Sequence, residues 1–174
     1  MEEIKLAYLY VKQTIAGGYL GGVLVCDTKG FPLEFRYTEP ILPTKIQKVL
    51  YGHNLDKYLK VDVLLDSLLK VLGTKYDVLI VNDSKLLESD TPIIQMEIGQ
   101  NPILSGNESF QKLEDGSYLL RTAQTTDPIR INFSKHSDIE KTLQNLVKIG
   151  EKLDVFEPLL RVQKSIELVC KKEI

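Results

Sequence analysis

The chain has 174 residues, 43% of them hydrophobic and 26% charged, with 22 basic residues against 24 acidic ones for a formal charge of -2. That balance fits a single globular domain over 1–174 and excludes a disordered or collagen-like chain. It also lacks the net positive charge that draws a protein to phosphate backbones, so nucleic acid is disfavoured as a partner.

In chain order, strands are expected at Lys5 to Val11, Gly22 to Asp27 and Phe31 to Thr38. The last two are joined by Asp27-Thr28-Lys29-Gly30, whose glycine takes positive φ at little expense, and the three form an antiparallel meander. Val23 to Cys26 is apolar on both faces, as a central strand requires, whereas Leu33, Phe35 and Tyr37 alternate with Glu34, Arg36 and Thr38. The uncharged run Thr14 to Cys26 is too short to cross a bilayer as a helix and follows the acidic Met1-Glu2-Glu3. A cytoplasmic location without membrane contact is therefore expected.

Pro40 and Pro43 end the third strand, and Thr44 with Gln47 forms a capping box opening a short helix to Tyr51. A longer helix runs from an Asn54 cap through Leu72, with Leu55, Tyr58, Leu59, Leu65, Leu68, Leu69 and Leu72 as its core stripe and Lys57, Lys60 and Lys70 on the solvated side. Strands follow at Asp77 to Asn82, Pro92 to Ile98, Tyr118 to Ala123 and Ile129 to Phe133, with a long mobile loop over Gly99 to Ser117. A box at Ser137-Asp138-Ile139-Glu140 opens the next helix, and the last helix begins near Pro158. The expected fold is α+β, a largely antiparallel sheet of about seven strands with about four helices packed on it, in the order βββ-αα-ββββ-αα.

The segment GGVLVCDTKGFPL resembles the strand, turn and strand of roadblock or profilin-like regulatory domains, and carries no family assignment. The cluster Gly17-Gly18-Tyr19-Leu20-Gly21-Gly22 lacks GxGxxG or GK[ST] spacing and leads into a strand, so its glycines read as packing devices. Cys26 and Cys170 have no CxxC spacing and read as free thiols. Asp77, Asp83 and Glu97 around two strands echo metal-dependent nucleases, but Glu97 is followed by Ile98-Gly99 and lacks the x-Lys continuation of such sites. Neither His53 nor His136 has a histidine three or four residues away, so no metal site and no cofactor is expected.

The strongest candidate site is an anion or ligand pocket made by Glu34, Arg36, Glu39, Thr44, Lys45 and His53, where free amides at a helix start meet nearby cations. Its bland counterpart is a solvated sheet face on which Glu34 and Arg36 pair across strands with Glu97, Arg121 or Arg130. No complete catalytic signature is present, and whether the chain is an enzyme stays open. The leading expectation is a protein-binding or assembly domain, self-associating as a homodimer or joining a protein partner. The alternative is a hydrolase or transferase for a small anionic ligand near Arg36, Glu39 and His53.

Overall fold

The structure is a computed structural model, which describes residues 3–99, 108–125 and 127–172. Among these residues the strands are β1 (Leu6–Gln13), β2 (Tyr19–Cys26), β3 (Pro32–Tyr37), β4 (Val78–Val81), β5 (Ile94–Glu97), β6 (Phe110–Lys112), β7 (Tyr118–Leu120) and β8 (Ile129–Phe133). They form one eight-stranded sheet in the order β3-β2-β1-β4-β5-β8-β7-β6. The helices are the short α1 (Lys45–Tyr51), a composite α2 over 55–71, α3 (Ile139–Ile149) and α4 (Glu157–Cys170).

The expected antiparallel sheet of about seven strands with four packed helices is corrected on two points. The sheet is mixed, because β1 pairs parallel with β4 (Leu6 with Val78, Leu9 with Val81) and β4 parallel with β5 (Ile80 with Ile94). Only the flanks are antiparallel, β1-β2-β3 on one side and β5-β8-β7-β6 on the other. Parallel neighbours need a long crossover. The segment holding α1 and α2 supplies one, between β3 and β4, and a 3-10 turn at Ser84–Glu88 lies in the other. Secondly, three main helices pack on the sheet, since α1 buries no residue.

Two apolar layers explain the placement of these elements. Leu6, Tyr8, Leu24, Ile80, Ile94 and Ile131 face α3 and α4, whereas Ala7, Leu9, Val23, Val25, Leu79 and Val81 face α2. The alternation along β1, β2 and β4 is therefore apolar on both sides, as a strand between two helical layers requires.

The long helix departs from an ideal register. It joins Leu55–Lys57 and Asp66–Val71 through a π-helical stretch, Tyr58–Leu65. The i→i+5 turn turns less per residue, so Leu59 and Leu64 both reach the core and Val61 joins them. Lys60, expected on the solvated face, becomes largely buried, its side chain only 15% exposed.

The glycine cluster has structural roles. Gly17 turns the chain at φ 85°, and a Cβ at Gly22 would lie 2.7 Å from Cγ2 of Ile166, so β2 and α4 approach where only a hydrogen fits. Gly30 takes φ 81° in its turn, whose Asp27 carboxylate accepts from the N–H of Lys29 and Phe31. Of the loop expected over Gly99 to Ser117, residues 100–107 lie outside the described residues, while Phe110–Lys112 forms β6 beside β7.

Candidate functional site

The sheet direction singles out one end of the molecule. In sheets with parallel strands, ligands gather at the carboxyl ends, where the connections diverge to opposite sides. Here that end is reached by the end of β1, by Asn82 and Asp83 after β4, and by β5.

Its polar groups are held by one another. Asn82 accepts from Val11 N–H through Oδ1 at 2.9 Å and donates through Nδ2 to Val11 O at 3.0 Å, clipping β1 to the end of β4. Gln95, buried on β5, donates to the Asn82 carbonyl at 3.3 Å and to Glu97 Oε2 at 3.4 Å, and accepts from Asn132 Nδ2 on β8 at 2.7 Å. Beyond it Glu97 stands opposite Arg130, whose Nη1 lies 3.3 Å from Asp115 Oδ2 and whose buried Nε has no hydrogen-bond partner. A row of amides thus leads to a buried guanidinium nitrogen that has no partner among the described residues.

On the α2 side of the same end lies an ion cluster. Lys60 Nζ sits 2.8 Å from Asp83 Oδ2 and 3.1 Å from Asp56 Oδ2, and the Tyr19 hydroxyl donates to Asp56 Oδ1 at 3.2 Å. Burial by itself lowers the Lys60 pKa, but hydrogen bonds and charge from Asp83 and Asp56 outweigh it and leave the ammonium above its ordinary value. On the other side, burial followed by the Glu167 charge raises the half-buried Tyr10 phenol, against the pull of its bond to Asn82. Neither the amide row nor a buried role for Lys60 is legible in the sequence, because each depends on which elements become neighbours.

Asp83 and Glu97, noted in the sequence, lie at this end, whereas the residues of the expected anion pocket lie elsewhere. Glu34 and Arg36 are the pair among them that the structure joins, at 2.8 Å along the edge strand β3. They do not reach Glu97 or Arg130, which sit on β5 and β8 across the sheet. Glu34 also accepts from the N–H groups of Gly73 and Thr74, closing the end of α2. The Arg36 bond first, then these N–H groups, hold its carboxyl at about 2. Thr44 is engaged with Gln47 in the expected reciprocal capping box, ahead of Lys45 at the first residue of α1. Glu39 lies between β3 and α1, and His53 lies in a 3-10 turn after α1. The thiol of buried Cys26 is pushed up to about 12, chiefly by burial, which opposes a nucleophilic role.

A cleft of about 470 Å³ opens at the opposite end of the sheet, lined by Asp77, Pro92, His136, Lys141 and Asn145 among others. Its acids are already engaged: Asp77 accepts from Lys5 N–H, and Asp138, rather than the expected Ser137, caps α3 through Lys141 N–H.

Nucleases commonly hydrolyse phosphodiesters with divalent ions held by clustered carboxylates. The donor set here does not fit such an ion. Among the described residues no three His, Cys, Asp or Glu side chains gather in one place. β1 carries no acid, Asn82 has both amide ends on Val11, and Asp83 is bound to an ammonium.

No family model and no curated protein matches the sequence. Solved structures do match the fold. Ciona intestinalis endonuclease V, in complex with a 23mer DNA containing an inosine followed by a ribo-adenosine, aligns with TM-score 0.60 at 12% identity over 98% of this chain and 87% of its own. Human ENDOV aligns with TM-score 0.57 at 12% identity over 99% and 87%, and the catalytic domain of human endonuclease V with 0.53 at 13% over 99% and 85%. The fold is thus endonuclease V-like across nearly the whole chain. That finding corrects two expectations. Disfavouring nucleic acid from net charge does not stand for a fold shared with a protein solved on DNA, and these matches do not support the reading as a protein-binding or self-assembling domain and lie nearer the enzyme alternative. Among the described residues no helix is long and apolar enough to cross a membrane.

Proposed function

We propose that this chain acts on nucleic acid, engaging a strand across the carboxyl ends of β1, β4 and β5. The observation that carries the reading is the endonuclease V-like fold, matched over 98% of the chain at TM-score 0.60. The site chemistry supports it. Asn132 and Arg130, both half-buried on β8, are residues of the kind that read base edges or position phosphates. Phosphodiester hydrolysis is the reaction to test first, with no step assigned to a metal that the donor set does not gather.

The test uses labelled single- and double-stranded DNA and RNA, with and without inosine, read by fluorescence anisotropy at low salt and by denaturing gels for cleavage. Saturable binding is expected for at least one class, weakened several-fold by Asn132→Ala and by Arg130→Gln. Lys29→Ala, in the turn at the opposite end of the sheet, should bind as the parent does. Absence of binding to every class at low salt would refute the reading.

A further inference from the structure

We propose that Lys60 is the fixed cation of this site, so that the chain engages its strand without a divalent ion. This rests on the nucleic-acid reading. Two carboxylates from separate elements, Asp56 on α2 and Asp83 after β4, converge on one ammonium at 3.1 and 2.8 Å. Their outer oxygens are occupied as well, Asp56 Oδ1 by the Tyr19 hydroxyl and Asp83 Oδ1 by Lys85 N–H. Such convergence leaves like charges in mutual repulsion unless a cation sits between them. In many nucleases that cation is a metal. Here it is covalently part of α2, and the π-helical stretch that begins at Tyr58 brings it inward. The ammonium neutralises carboxylates that would otherwise repel a phosphate backbone, so that the half-buried Asn132 and Arg130 at the same end meet the strand without the field of those two carboxylates beside them.

The role of Lys60 is tested first without nucleic acid. Thermal unfolding of the parent in MnCl₂ or MgCl₂ should match that in EDTA, and a saturable metal-dependent rise in Tm would overturn the proposal. Lys60→Ala, which leaves Asp56 and Asp83 facing each other without a cation, should gain a Mn²⁺-dependent rise that EDTA reverses. A folded Lys60→Ala protein indifferent to Mn²⁺ would overturn it. If that variant does not fold, Lys60→Gln, which keeps a donor but no charge, is held to the same two outcomes. Strand binding by the parent is then compared in Mg²⁺ and in EDTA. Equal affinity is expected, and binding that requires Mg²⁺ overturns the proposal. Binding in neither buffer refutes the nucleic-acid reading, whereas the metal titrations judge Lys60 independently of it.

Discussion

At the residue scale, several polar side chains do structural tasks that their chemistry disguises. Glu34 looks like a ligand-binding acid but joins β3 to the end of α2, with its carboxyl held at about 2 instead of its ordinary 4.5. Because the folded value is the lower one, its stabilisation is present above pH 4.5 and is lost as pH falls towards 2. The stability gap between the parent and Glu34→Gln, from denaturant midpoints, should therefore narrow across that window. A gap independent of pH would refute the assignment. Tyr8 is fully buried on β1 and donates its hydroxyl to Val155 O at 2.7 Å. Tyr8→Phe leaves that carbonyl without its partner and should lower stability by roughly 1–2 kcal/mol, measured by urea unfolding.

At the element scale, packing decides roles that composition leaves open. α4 has an apolar stripe that suits either a dimer interface or a core, and the structure places Leu159, Val162 and Ile166 within the layer against β1 and β2. Removing residues 158–174 should consequently unfold the chain, with loss of the cooperative transition in circular dichroism. A soluble, cooperatively folding truncation would contradict this packing. The close approach of β2 to the same helix gives a finer test. Gly22→Ala puts a methyl group 2.7 Å from Ile166 Cγ2, a fully buried side chain that must shift to admit it. It should cost about 1–3 kcal/mol, as a lower urea midpoint at unchanged m.

At the scale of the whole molecule, charge distribution matters more than its sum. Near the carboxyl ends Lys60 pairs with Asp56 and Asp83, Lys57 with Glu88 and Lys12 with Glu167. Among the described residues these paired lysines have little charge left to displace counterions from a strand. Binding should therefore weaken only gradually with salt, with a log–log slope of magnitude below about 2. A steep slope would place the strand on some other, basic surface.

The sequence by itself determined what short-range chemistry controls. The meander β1-β2-β3, the turn at Gly30, the capping box of Thr44 and Gln47 and the stripe of α4 all follow from side-chain period and local hydrogen bonds. Expecting antiparallel pairing failed because strand patterning shows that a strand is buried but not which edge it meets. DVLIV is equally apolar beside either kind of neighbour, and its place between β1 and β5 depends on how crossovers far along the chain are packed. Lys60 was misplaced for a related reason, since an ideal helical period carries it to solvent and the π-helical stretch carries it to Asp83. The candidate site exists only where β4, β5, β8 and α2 come together, residues separated along the chain and joined by long-range packing, so tertiary structure alone decided it.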